Sequence, residues 1–392
     1  MRALYLPGSL RVGGGAVREL PGALAQLGLL APLIVTDPYL AGNGVLDRVL
    51  GLLRDAGMTP RVFADVVPDP TVASVQAAMH TLRGGTQDCI IGLGGGSPID
   101  TAKMVAVLAS HPTTPRQLKF PHVQDIAGLP VIAVPTTAGT GSEATRFTII
   151  TDEETQEKML CVGLAYLPRI AIVDYELTLS KPWRLTADTG LDALTHALEA
   201  YVSKQANPFS DGLALAAIRA IWPNISTACT EPSNRAAREA MMLGALQAGM
   251  AFSNSSVALV HGMSRPIGAH FHVAHGLSNA MLLPAVTAWS IPGAEARYAE
   301  CARAMGVADP ATSDAEANHR LIAALKAKNE ELQVPTPLGY GIDPGRWTSL
   351  LPLMAEQALA SGSPGNNPRV PDASDITALY REIWAAEPAR PG

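Results

Sequence analysis

Along the first half of the chain, short unbroken apolar runs alternate with stretches in which apolar residues recur every three or four positions. Leu33-Ile34-Val35-Thr36-Asp37 reads as a buried strand ending in an acid, and residues 45–56 as the helix that follows. Arg61-Val62-Phe63 is a second strand, residues 72–83 have helical periodicity, and Cys89-Ile90-Ile91-Gly92-Leu93 is a third strand. Residues 129–135 form another, and Ile170-Ala171-Ile172-Val173-Asp174 is the last. Strands and helices alternating at this spacing predict a parallel sheet covered by helices. From Leu179 onward only the helical period persists, through residues 213–221, 235–250, 294–305, 315–325 and 376–385. The boundary falls near Ser180-Lys181-Pro182, which predicts an α/β domain over 1–180 and an all-helical domain over 181–392. Residues 361–368, rich in Gly, Pro, Ser and Asn, read as a surface loop.

Two loops at strand ends carry candidate chemistry. The third strand runs into Gly94-Gly95-Gly96-Ser97-Pro98-Ile99-Asp100-Thr101-Ala102-Lys103. Three glycines free backbone amides to approach an anion, Ser97 can cap, and Pro98 suits a first helical turn, so the stretch reads as a phosphate cradle at a helix N-terminus. It is neither G-x-G-x-x-G nor a Walker loop. A tight strand-to-helix turn is the competing reading. After the strand at 129–135 comes Thr136-Thr137-Ala138-Gly139-Thr140-Gly141-Ser142-Glu143, whose hydroxyls offer donors at the carboxyl end of a sheet. A solvated loop is the alternative there.

The helical half holds the strongest signal. In Gly190-Leu191-Asp192-Ala193-Leu194-Thr195-His196, four residues separate a carboxylate from an imidazole, which puts both on one helix face. Alone, the pair could be a core hydrogen bond. Residues 259–276 add four of the chain's nine histidines, and His261 and His275 are each followed by a glycine, which lets backbone approach closely. One Asp and three His suit Fe(II) or Zn(II).

Composition narrows the class. The chain has 392 residues, 47% of them hydrophobic, enough to fill two cores, and a net charge of −6 with no basic run to suggest nucleic acid. Its longer apolar stretches are interrupted well before the ~18 residues of a membrane helix. No signal peptide is evident at the N-terminus, and Cys89, Cys161, Cys229 and Cys301 lie far apart with no Cys-x-x-Cys. Free thiols in a reducing cytoplasm are the expectation.

Taken together, GGGSPIDTAK at 94–103, PTTAGTGSEAT at 135–145, GLDALTHALEAY at 190–201, AFSNSSVALVHGMSRPIG at 251–268 and HVAHGLSNAMLLP at 272–284 resemble the iron-containing (group III) alcohol dehydrogenase family, in its order and spacing. The resemblance implies a nucleotide-binding parallel sheet followed by an all-α domain, the fold shared with dehydroquinate synthase. It implies hydride transfer between NAD and a small alcohol or aldehyde held at Fe(II) or Zn(II), in a homodimer. Asp192, His196, His261 and His275 fall on the family's metal ligands. Gly95, Gly96 and Ser97 match the pyrophosphate contacts; Thr136, Thr137, Thr140 and Ser142 match the hydroxyl loop; Asp69, Asp100 and Lys158 match further cofactor contacts. Asp37 stands where members preferring NAD have an acid, and a carboxylate there would repel the extra phosphate of NADP.

One departure bears on the substrate. Many members carry a second histidine four residues after the ligand that His261 matches; here the residue is Arg265, which cannot act as a base near neutral pH. It reads as a holder of an anionic substrate group or as a structural arginine. His270 and His272 are candidates for proton relay, and Phe252 for lining the pocket. Alternatives remain: a metal-independent oxidoreductase resembling maleylacetate reductases, or a dehydroquinate synthase-like lyase, whose basic phosphate cluster is not evident.

Overall fold

The computed structural model describes residues 3–385. The outer ends of the two expected domains, 1–2 and 386–392, lie outside the described residues. The described residues form eight strands: β1 (Ser9–Val12), β2 (Pro32–Val35), β3 (Arg61–Phe63), β4 (Cys89–Gly94), β5 (Val131–Pro135), β6 (Phe147–Asp152), β7 (Glu157–Val162) and β8 (Ile170–Val173). Six form one parallel sheet in the order β1-β8-β5-β4-β2-β3. Every residue of β2 and β4 is buried, because helices cover both faces of the sheet. Leu33 and Val35 join the core formed with helices Val72–Arg83 and Gly96–Ser110, while Ile34 and Ile91 join the opposite core with Val45–Asp55.

Strand order reverses between β2 and β4, and in open α/β sheets that reversal leaves a crevice at the carboxyl ends where ligands bind. The acid at Asp37 follows β2 and the glycine loop follows β4, so both stand at that crevice.

Three features differ from the sequence reading. Strand β1, with Arg11 at its centre, pairs with β8 at the sheet edge. An antiparallel hairpin, β6–β7, stands apart from the main sheet and was not expected. Its inward positions include the polar Thr148 and Asp152, whereas Ile149 is only half-buried, so its burial alternates without a matching alternation of polarity. The segment at 361–368 is not a plain surface loop. Ser363 and Asn367 are buried, and Pro364 packs so tightly on the Leu259–Phe271 helix that a Cβ on Gly262 would lie 2.6 Å from its Cγ.

The helical half is organised around Trp183–Val202, buried along almost its whole length from Thr186. Helices Pro208–Ile221, Arg235–Ser255 and His275–Ser290 pack on it and share one hydrophobic core. A smaller cluster, Ala144, Ala171, Val173, Met242, Leu246 and Met250, joins the sheet to Arg235–Ser255. There the hydroxyl loop meets the helix backbone to backbone. Gly141 has φ +60°, and a Cβ on it would fall 2.5 Å from the Gly249 Cα. No helix of the described residues is long and apolar enough to cross a membrane, and all four cysteines are buried and unbridged.

Candidate active site

A cavity of about 1030 Å³ of empty space, counted with its open mouth, runs from the glycine loop to the helical half. Gly96, Ser97, Asp100, Thr140, Ser142, Asp69 and Lys158 line one end; Asp192, His196, His261, His275, Phe252 and Arg265 line the other.

At the helical end, Asp192 and His196 sit one turn apart on Trp183–Val202, His261 lies in the first turn of Leu259–Phe271, and His275 opens His275–Ser290. Gly276 permits that last approach: a Cβ there would lie 2.3 Å from the Asp188 carbonyl oxygen. One ligand atom from each of the four residues lies within 4.8 Å of all the others. His261 Nε2, His275 Nε2 and His196 Nδ1 stand 3.5, 3.7 and 3.9 Å from Asp192 Oδ1.

The protonation pattern suits a cation. Burial lowers His196 to about 3 and His275 to about 4, so both rings are neutral at pH 7 and present lone pairs. Burial opposes the Asp192 charge, but the three imidazoles outweigh it and hold the carboxyl well below its usual range. Glu199 accepts hydrogen bonds from Ala258 N–H (2.9 Å), Val260 N–H (2.6 Å) and His261 Nδ1 (2.6 Å). Burial opposes a charge on His261, but Glu199 and Asp192 outweigh it and raise its pKa; in the neutral ring the Nδ1 proton belongs to the Glu199 bond, which leaves Nε2 facing Asp192 as the atom that can take a cation. Asn279 Nδ2 donates to Asp192 Oδ1 (2.7 Å) and lies 3.1 and 3.3 Å from His261 Nε2 and His275 Nε2, so three ligand atoms converge on one point. His196 Nδ1 is buried with no hydrogen-bond partner among the described residues. A carboxylate and three imidazole lone pairs, one of them orphaned, fit a divalent metal ion. Phe252 covers the cluster, its ring stacked on His196 at 4.3 Å between centroids.

At the sheet end, Gly95 is the N-cap of Gly96–Ser110 and supplies no side-chain cap. Ser97 lies inside the first turn and does not cap, contrary to the sequence reading, so the amides of that turn are free of a capping side chain and open to an anion. Asp100 accepts from the Ser142 hydroxyl (2.6 Å) and Ile149 N–H (2.9 Å), which ties the glycine helix to the hydroxyl loop and to β6. Burial pushes Asp100 above the usual carboxylate value despite Lys103, Ser142 and Ile149. The fully buried Lys103 donates to Ser142 Oγ, to Thr145 O and Oγ1, and to Phe147 O, at 2.8–3.1 Å. Replacing Lys103 by Met leaves those acceptors and Asp100 without their cation. Unfolding stability should fall by roughly 3–5 kcal/mol, read from a urea transition, as expected when one partner of a buried charge network is removed.

The structure does not bring every expected residue to the cavity. The Thr136 hydroxyl is fully buried without a partner among the described residues and lines no part of the cavity; Thr137 faces a small neighbouring pocket beside Lys181 and Arg238. Asp37 caps the short Pro38–Gly42 helix, accepting from Leu40 N–H (2.9 Å). Lys158 pairs with Asp69 (2.7 Å) at the cavity wall. His270 and His272 are corrected as proton relays: neither lines the cavity. His270 Nε2 meets Gln357 Oε1 (2.8 Å) on Pro344–Ala360, while His272 is exposed at a left-handed helix end with φ 56°. Glu199, Asn279 and Lys103 were missed. Glu199 stands seven residues after Asp192, on the same face of an apolar helix, and a buried glutamate there was a readable sign.

Two family models match the chain: iron-containing alcohol dehydrogenase over residues 7–175, and the C-terminal part of the Fe-containing alcohol dehydrogenase family over residues 186–384. The chain is similar to long-chain-alcohol dehydrogenase 1 of Geobacillus thermodenitrificans, 39% identical over 99% of this chain and 98% of that protein. It is also similar to lactaldehyde reductase of Escherichia coli, 35% identical over 95% of this chain and 97% of that one. A solved 1,3-propanediol oxidoreductase superposes with a TM-score of 0.93 at 35% identity, covering 98% of this chain and 100% of the other.

Proposed function

This chain belongs to the iron-containing alcohol dehydrogenase family, an oxidoreductase acting on CH–OH groups, and on that premise we propose which residues carry the reaction and which cofactors they take. The observation that carries the reading is one cavity with a four-residue Asp/His₃ cluster at one end and an uncapped helix N-terminus beside a glycine loop at the other. Asp192, His196, His261 and His275 hold Fe(II) or Zn(II). Glu199 fixes the His261 tautomer. Gly95, Gly96 and Ser97 face the pyrophosphate, while Asp100, Thr140 and Ser142 orient the nicotinamide half. When bound, the metal ion supplies Lewis acidity toward an alcohol or carbonyl oxygen, and the nicotinamide accepts or gives hydride. Phe252 shields His196 from solvent, and the Lys158–Asp69 pair borders the cofactor end.

The proposed cofactor is NAD. Asp37 supports it, because a carboxylate at the end of β2 can accept from ribose hydroxyls and repels a 2′-phosphate. Measured with a short primary alcohol at the reduced-nicotinamide absorbance band, the wild type should favour NAD. Asp37→Ser should lower the kcat/KM ratio of NAD over NADP by about tenfold or more, one lost repulsion of about 1.4 kcal/mol. An unchanged ratio would remove Asp37 from the specificity account. The proposal places the domain boundary near residues 180–182, between the end of β8 at Val173 and the helix starting at Trp183. It extends to a homodimer, as the family resemblance implies, and to the cytoplasm, which the unbridged thiols support.

A further inference from the structure

Arg265 carries a charge that no other group of the cavity answers. It follows His261 by one helical turn on Leu259–Phe271, so the two side chains share a face, and both line the cavity. The residue is only 7% exposed. Its guanidinium makes one protein hydrogen bond among the described residues, from Nη1 to the Ser363 hydroxyl (3.0 Å), and its Nε is buried without a partner. The other charged groups on the wall are engaged: Lys158 with Asp69, Asp100 with Ser142 and Ile149, Asp192 with the histidines. Glu199, whose field reaches Arg265, is occupied by two amides and His261. Burial lowers the Arg265 pKa only to about 10, so the group is cationic at neutral pH. A buried cation without a counter-ion is costly to keep, and an oxyanion brought by the ligand removes that cost.

We propose that Arg265 is the anion-binding residue of the substrate site, and that the substrate is a short alcohol or aldehyde bearing a carboxylate or sulfonate. The inference rests on the alcohol dehydrogenase reading above. Four helical residues rise about 6 Å, so Arg265 enters the cavity one turn along the helix from His261. Its planar fork offers two parallel N–H donors to such a group, which an imidazole at the same position cannot. Ser363, from the segment folded over this helix, holds Nη1 and so sets the orientation of the fork.

The test uses the metal-loaded enzyme with NADH and three aldehydes: butanal, 4-oxobutanoate and 3-oxopropane-1-sulfonate. The kcat/KM of at least one anionic aldehyde should exceed that of butanal by tenfold or more. That ratio should fall about 100-fold in Arg265→Met and less in Arg265→Lys, which keeps the charge but loses the fork. The two anionic substrates separate a carboxylate from a sulfonate preference. Succinate binding to the same protein, by calorimetry, provides a readout independent of turnover and should disappear in Arg265→Met. Equal ratios in wild type and Arg265→Met, or succinate binding indifferent to residue 265, would overturn the proposal. If none of the three aldehydes is reduced, the dehydrogenase reading fails, and Arg265-dependent succinate binding still upholds the anion site. Should Arg265→Met not fold, Arg265→Lys decides by the same two measurements.

Discussion

Asp192→Ala should release the metal ion and lower turnover by about a thousandfold or more, the factor that corresponds to several kcal/mol of lost Lewis-acid stabilisation. Asp192 is the point on which the site converges. Its Oδ1 lies within 3.9 Å of a nitrogen from each of the three histidines and accepts from Asn279 at 2.7 Å. Three neutral imidazoles alone would hold a divalent cation without its only anionic ligand. Asp192→Asn separates charge from shape, since it fills the same volume in a buried helix yet carries no charge. Both variants should show less than a tenth of the wild-type metal content by elemental analysis, with the helical content of the wild type by circular dichroism. Full activity in a metal-free Asp192→Ala protein would sink the assignment.

Glu199→Gln should weaken metal affinity by roughly 10–100-fold while every direct ligand stays in place. The carboxylate accepts three hydrogen bonds from Ala258, Val260 and His261, all within the start of one helix and the turn before it. An amide offers one oxygen and two N–H groups, so at least one of the three donors faces another donor. The cheapest escape is for His261 to move its proton to Nε2, which removes the lone pair aimed at Asp192. Competition with a chelator of known affinity measures the loss. A structural role alone predicts lower unfolding stability with unchanged metal affinity, and that result would contradict the tautomer argument.

Legibility followed from how directly polarity tracks burial. The runs at 33–35 and 89–93 hold no polar or charged side chain because strands β2 and β4 are covered on both faces, so their positions were plain. The β6–β7 hairpin was not, since Thr148 and Asp152 point inward while Ile149 borders the cavity. Asp192 and His196 were readable from helical spacing, and the glycines after His261 and His275 mark close contacts with Pro364 and Asp188. His270 and His272 show the limit of that reasoning. Both belong to the histidine-rich stretch, but the helix turns one toward Gln357 and ends at the other. Lys103 is hidden for the opposite reason: a single lysine in an apolar helix looks solvated until the hairpin and hydroxyl loop close over it.

Metal content and turnover, measured on one anaerobic preparation before and after chelation, test the central claim most directly. About one Fe or Zn per chain is predicted, with NAD-linked alcohol oxidation lost on chelation and restored by either ion. Turnover of an oxo acid by protein that holds no metal would contradict the account. It would move the chain to the branch resembling maleylacetate reductases and leave the Asp192, His196, His261 and His275 cluster a structural one.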